Sequence, residues 1–172
     1  MEQVILVDEN DNQIGTEEKL KAHQNGGKLH RAISVLVFNS KGELLLQRRA
    51  LSKYHCGGLW ANTCCTHPRP GEKAIDAAHR RLKEEMGFDA ELKEVFPLLY
   101  KAEFNNGLTE WEYDHVFVGH YNGEVKPNTE EVDSYRWISM KELKEDIEKN
   151  PAKYAEWFKI IFRRFLEMKI PF

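Results

Sequence analysis

The apolar positions of this chain fall into short runs and spaced stripes that predict strands alternating with helices. Residues 33–38 and 43–48 are β-prone runs joined by Asn39-Ser40-Lys41-Gly42, whose turn chemistry predicts a hairpin. A Gly- and Pro-rich crossing over 57–71 follows. Residues 72–86 then carry Ala74, Ala77, Ala78 and Leu82 at helical spacing. Gly87 is placed to stop that helix, because glycine accepts the left-handed conformation that closes a helix C-terminus. Residues 97–104 and 109–121 read as strands around Asn105-Asn106-Gly107, and 134–138 as a further short strand. Ser139 and Glu142 have capping-box spacing at the start of a short helix. Asn150-Pro151 predicts the first turn of the last helix, with Tyr154, Trp157, Phe158, Ile161, Phe162 and Phe165 on its apolar face. The pattern implies an α/β (α+β) fold, a mixed sheet sandwiched between helices, as one domain over residues 1–172.

Composition narrows the class without naming a chemistry. A chain of 172 residues suits a single core, and no repeat or linker divides it. Apolar runs such as 35–38 and 44–46 are far short of the roughly 20 residues needed to span a bilayer. Met1-Glu2-Gln3-Val4 does not open a secretory signal, so the expected location is cytoplasmic. The cysteines Cys56, Cys64 and Cys65 make a poor disulfide framework, which leaves any importance they have to chemistry. A net charge of -3 argues against bulk attraction to nucleic acid or anionic membrane, while permitting a local basic pocket.

Candidate chemistry begins at Glu110-Trp111-Glu112. In a strand, alternation puts both carboxylates on one face and Trp111 on the other, and like charges that close need a metal ion or protons between them. With His23, His30 and His67 they would complete a five- or six-coordinate N/O site suited to magnesium, manganese or zinc. Two of those histidines lie in the N-terminal segment 1–30. Scattered histidines beside a solvated strand edge would give the same residues without a site.

Residues 66–88 resemble the Nudix box, G-x5-E-x7-R-E-U-x-E-E-x-G-U, with Glu72, Arg80, Leu82, Glu84-Glu85 and Gly87-Phe88 in their places. Thr66 replaces the first glycine and Arg81 replaces an acid. In a Nudix hydrolase this helix offers carboxylates to metal, so Arg81 weakens a hydrolase reading. Arg81 and Glu85 stand four apart on one helix face, where one could touch a phosphate while the other holds magnesium on it; an exposed ion pair is the plain alternative.

Longer segments carry a closer resemblance. Arg48-Arg49-Ala50-Leu51-Ser52-Lys53, Trp60-Ala61-Asn62-Thr63-Cys64-Cys65-Thr66-His67-Pro68 and Glu110-x-Glu112 resemble type 1 isopentenyl-diphosphate isomerases, over about Lys19 to Trp157. The resemblance implies a Nudix fold and the conversion of isopentenyl diphosphate to dimethylallyl diphosphate. It implies that His23, His30, His67, Glu110 and Glu112 bind the catalytic metal, that Cys65 and Glu112 are the acid-base pair, and that Tyr100 assists Glu112. Glu85 would hold Mg2+ against the diphosphate, Lys19, Arg49, Lys53 and Arg81 would contact it, and Trp157 would face the hydrocarbon end. Gly57 stands where proline is usual, and Cys56 has no assigned role. The implied partner is this small diphosphate, with no nucleic acid or membrane, on a monomer or homodimer. The alternatives are a Nudix hydrolase of a nucleoside diphosphate derivative and a catalytically silent Nudix-like module; the set Arg81, Cys65, Glu110 and Glu112 counts against the hydrolase.

Overall fold

The computed structural model describes residues 1–53 and 56–172. A hairpin of β1 (Gln3–Val7) and β2 (Gln13–Glu18) leads through one helical turn, α1 (Lys19–Ala22), to the central strand β3 (His30–Phe38), which turns back as β4 (Glu43–Arg49). The short strands β5 (Trp60–Ala61) and β6 (Cys64–Thr66) cross to helix α2 (Ala74–Met86). A long hairpin of β7 (Leu92–Glu103) and β8 (Thr109–His120) is followed by β9 (Val132–Ser139), α3 (Met140–Lys149) and α4 (Glu156–Glu167).

β3 organises the mixed sheet. It runs parallel to β8 and antiparallel to β6, and meets β1 at Leu6 and β4 at Phe38. Alternation then sorts its side chains between two apolar layers. Ile33, Val35 and Val37 pack with Ala77, Ala78, Leu82 and Met86 of α2, whereas Leu36 and Phe38 pack with Trp157, Phe158, Ile161 and Phe165 of α4. The sheet is thus covered by helices on both faces, as the pattern predicts. Each fully buried large apolar side chain contributes about 1.5–3 kcal/mol relative to exposure, so the α4 face is a main source of cohesion. None of the described helices is long and apolar enough to cross a membrane.

Local signals hold at several places. Asn39 closes the β3–β4 turn by accepting from the Lys41 and Glu43 amides at 3.0 Å. Gly87 ends α2 at φ 74°, and a Cβ there would lie 2.2 Å from the Lys126 carbonyl oxygen. The Glu142 amide donates to the Ser139 hydroxyl at 3.2 Å, opening α3.

Other boundaries move. Asn150-Pro151 starts only a three-residue 3-10 turn, Pro151–Lys153, and not α4. Tyr154 and Ala155 are drawn out into extended backbone because Tyr154 bridges Trp60 and the Ala155 amide donates to the Trp60 carbonyl at 2.9 Å, so the helix restarts at Glu156. β7 begins at Leu92, before Pro97. Among the described strands it pairs only with β8, and an edge strand tolerates a proline with no N–H to donate. The crossing over 57–71 contains β5 and β6, and the N-terminal segment forms β1 and β2, which the periodicity above does not assign.

Candidate active site

The site lies on the α4 side of β3 and β8, where the apolar layer gives way to polar residues. Val116 and Val118 belong to that layer, so the preceding even positions of β8, Glu110, Glu112 and Asp114, face the same way. All three are buried. Trp111 points oppositely, over the Lys101 ammonium at 4.5 Å and against Ile5, Val7 and Leu29. The alternation inferred for Glu110-Trp111-Glu112 therefore holds.

Strand register builds the rest of this end. Glu112 stands opposite His30 on β3 and opposite Tyr100 on β7, a row of three across three strands. The Tyr100 hydroxyl donates to Glu112 Oε1 at 2.5 Å and also lies 3.1 Å from Glu110 Oε1. Glu112 Oε2 faces His67 Nε2 at 2.7 Å and His30 Nε2 at 3.2 Å. His23, at the end of α1, completes a group of three imidazoles with ring centroids 4.7 to 5.5 Å apart. The amide of Thr109, at the start of β8, donates to the His23 carbonyl at 2.7 Å and pins that turn.

This group fits a divalent ion. One ligand atom from each of His23, His30, His67 and Glu112 lies within 4.8 Å of the others. Ligand atoms about 2.1 Å from a central ion can stand some 4.2 Å apart, so little inward motion is needed. His23 Nδ1 and His30 Nδ1 lie 2.7 Å from the carbonyls of Lys19 and Lys28, which leaves each Nε2 for the ion. Burial lowers the His23 and His67 pKa values, the latter to about 4, and keeps both imidazoles neutral as ligation requires. Glu110 stands beside this group and not within it, its Oε2 buried without a hydrogen-bond partner.

The two carboxylates differ. Burial pushes Glu110 well up, and the neighbouring Glu112 charge adds to it. Burial opposes the Glu112 charge as well, but the hydrogen bonds of His30 and His67 outweigh it and hold this carboxyl well below the usual range. Burial also raises the Tyr100 hydroxyl.

Cys65 sits on β6 opposite Ser34 of β3. Its Sγ is 3.4 Å from Ser34 Oγ and 3.1 and 3.3 Å from the Asn62 amide nitrogen and oxygen. Ser34 in turn donates to Asp114 Oδ2 at 2.7 Å. Burial, then the Asp114 charge, raises the thiol, so in this pocket it rests protonated. Cys64 is buried toward α2, and Cys56 packs at the edge of the α4 layer with its thiol pushed up to about 11 by burial.

A cavity of about 450 Å³ joins these groups to a basic end. Lys19, Arg49, Lys53, Arg81, Glu85 and Trp157 all line it, with His23, Cys65, His67, Glu110 and Glu112; His30 and Tyr100 lie behind its wall. The β4–β9 register shifts after Arg48, which turns Arg49 out of strict alternation, and its guanidinium lies 5.0 Å from the Trp157 ring centroid. Arg81 and Glu85 form a 2.7 Å pair, but Glu85 is 4% exposed and also accepts from Gln47 at 2.6 Å, which excludes the exposed ion pair. Burial pushes Glu85 up even so.

Ser34, Gln47, Asn62, Asp114 and Glu131 escaped the sequence reading. Asp114 continues the alternation of Glu110 and Glu112, and Ser34 interrupts an apolar run, so both had a local signal. Gln47, Asn62 and Glu131 had none.

Comparison with known proteins places this geometry. The NUDIX domain family matches residues 28–158. Isopentenyl-diphosphate Delta-isomerase 2 of Aromatoleum aromaticum is 51% identical over 168 residues, covering 98% of this chain and 88% of that protein. The isopentenyl-diphosphate Delta-isomerase of Burkholderia multivorans is 51% identical over 163 residues, covering 95% and 92%. Among solved structures, DR0079 of Deinococcus radiodurans superposes with a TM-score of 0.75 at 18% identity over 94% of this chain and 98% of that one, a likeness of fold.

Proposed function

Since the chain belongs to the isopentenyl-diphosphate Delta-isomerase family, on a NUDIX domain, it converts isopentenyl diphosphate to dimethylallyl diphosphate, and we propose that Cys65 and Glu112 are the acid and base that do so. The observation that carries the assignment is the division of labour on Glu112: Oε2 faces the imidazoles while Oε1 takes the Tyr100 hydroxyl. Metal binding and proton handling thus fall on different oxygens of one carboxylate. Cys65 and Glu112 flank β3 on opposite sides and line one cavity, which suits groups that act on two carbons of one alkene.

His23, His30, His67 and Glu112, with the unpartnered Glu110 oxygen beside them, would hold Mg2+, Mn2+ or Zn2+, whose positive charge would fix the Glu112 carboxylate and set its proton affinity. Glu85 would hold Mg2+ against the diphosphate, and Lys19, Arg49, Lys53 and Arg81 would contact it directly. Glu112, with Tyr100, delivers a proton to the terminal alkene carbon. The positive charge then develops at the tertiary carbon, within reach of the Trp157 π face, and Cys65 removes a proton from the carbon nearer the diphosphate. One proton enters and one leaves, so the substrate's composition is unchanged.

A second reading exchanges the two roles. The thiol, raised by burial and standing beside Ser34 and Asn62, favours it.

Turnover in deuterated buffer followed by NMR tests the pair. Solvent deuterium should appear in the new methyl group with the diphosphate intact, and Cys65→Ala should lower the rate by about 100-fold or more while still binding metal. Phosphate release without carbon labelling, or full activity in Cys65→Ala, would remove the assignment.

A further inference from the structure

The cations at the diphosphate end are not bare. Lys19 Nζ lies 3.3 Å from Glu2, and Arg81 meets Glu85 at 2.7 Å, Glu131 at 2.9 Å and Glu84 at 3.0 Å. Lys53 is also paired with Glu131, and it uses the same carboxylate oxygen, Oε2, as Arg81. One oxygen thus receives an ammonium and a guanidinium that arrive from different elements, which is the arrangement a single phosphate oxygen would need.

We propose that Glu131 is a displaceable counter-ion of the diphosphate subsite, its Oε2 standing between Lys53 and Arg81 where a phosphate oxygen stands when substrate or product is bound. The inference rests on the proposed assignment of Lys53 and Arg81 to the diphosphate.

The local build supports exchange over a fixed strut. The Glu131 carbonyl accepts the Ala50 amide at 3.1 Å, and the Ala50 carbonyl accepts the Lys53 amide at 3.1 Å, so the Glu131 backbone anchors the turn that carries Lys53. Its amide bonds to Asn128, and the Asn128 amide bonds to the Glu85 carbonyl at 2.8 Å, which ties the same loop to the helix of Arg81. Backbone therefore holds both cations in place, and the Glu131 side chain, a quarter exposed, can leave without taking them along. Glu85 is placed differently, buried and clasped by Gln47.

Substrate and product carry the same diphosphate, so the contacts that capture one must release the other. Without Glu131, release would leave Lys53 and Arg81 facing one another with no anionic oxygen between them, at a cost in repulsion and desolvation. With it, entry and exit are each an exchange of one anionic oxygen for another. Removing the carboxylate charge must then tighten diphosphate binding, whereas removing a strut would loosen it.

The test uses metal-loaded enzyme and inorganic pyrophosphate with magnesium as the calorimetric probe. Glu131→Gln should lower the pyrophosphate Kd and the KM for isopentenyl diphosphate by about three- to tenfold, the scale of one partly exposed charge. Inhibition by dimethylallyl diphosphate should strengthen by the same factor, with no gain in kcat. Glu131→Asp, which keeps the charge but draws it back by one methylene, should change the Kd in the same direction by less. A Kd at or above wild type in either folded variant overturns the proposal. Arg81→Gln provides the separate control: unchanged pyrophosphate affinity there would sink the assignment of Arg81 to the diphosphate, while a Glu131 failure alone leaves that assignment standing.

Discussion

The two ends of the cavity are built by different means. At the metal-and-proton end the side chains are short, buried and set by strand register, as in the row Tyr100, Glu112, His30. At the basic end they are long, partly exposed and set by ion pairs between a turn, a helix and a loop, as with Lys53, Arg81 and Glu131. Backbone register fixes where a proton donor stands, which acid-base chemistry needs. Long paired cations tolerate movement, which suits an anion that must enter and leave each cycle. The difference teaches where this fold invests rigidity.

The comparison breaks most sharply at the rigid end. His67→Ala removes one of three imidazoles and one of the contacts on Glu112 Oε2. Metal content after dialysis should fall, and activity should drop by about 100-fold or more, since changes even to groups that merely support ligands cost 10–100-fold. Equal tight metal content in wild type and variant would dissolve the site as drawn. At the flexible end, substitutions should act mainly on KM and on its salt dependence, because partly exposed charges are screened.

The next effect lies where the two ends meet. Trp157 is 4% exposed and already has the Arg49 guanidinium over its ring at 5.0 Å, so its face accepts a cation in this structure. A desolvated cation–π contact is worth about 2 kcal/mol, or roughly 30-fold in rate. Trp157→Phe should keep most activity and Trp157→Leu should lose about 10- to 30-fold more in kcat, with thermal stability compared alongside. Equal rates in the folded Phe and Leu variants would return Trp157 to a packing role.

Local pattern revealed the parts of each end that obey periodicity. Helix α2 with its Gly87 stop, the β3–β4 hairpin and the common face of Glu110 and Glu112 follow from spacing alone. Which strand lies beside β8 does not, so Tyr100 enters only through family resemblance, while His30 joins the acids by residue type without a place in the sheet. The contacts that complete the site join Ser34 to Asp114 and Lys53 to Glu131, pairs 80 and 78 residues apart, and no local window contains both members. Tyr154 shows the converse: Asn150-Pro151 is a sound helix start, overridden by a backbone bridge to Trp60.

The smallest effect separates two neighbouring arginines. Arg80 and Arg81 both line the cavity, but Arg80 is held chiefly by Glu72 through a bidentate pair at 2.7 and 3.0 Å, with Glu84 farther off at 3.4 Å, while Arg81 is shared more evenly among Glu84, Glu85 and Glu131. The Arg80 pair therefore belongs to the scaffold and not to the anion exchange. Its hydrogen bonds hold the Glu72 carboxyl below the ordinary 4.5, chiefly through Arg80. A carboxyl depressed in the folded state contributes stability above its unfolded value, and that contribution is lost as pH falls through the folded value. Because the pair is partly buried, its side chains 19% and 17% exposed, but still reached by solvent at the cavity rim, Glu72→Gln should cost about 1 kcal/mol at pH 7, roughly 2–4 °C in Tm. The gap between variant and wild type should close as pH falls below about 4.5, where wild-type Glu72 also takes up its proton. The KM for isopentenyl diphosphate at pH 7 should stay within about twofold, since a freed Arg80 adds only a screened charge at the rim. A larger change in KM would move Arg80 from the scaffold into the flexible end of the cavity, and a Tm gap that persisted unchanged at pH 3.5 would show that the Glu72 charge was not what the pair contributes.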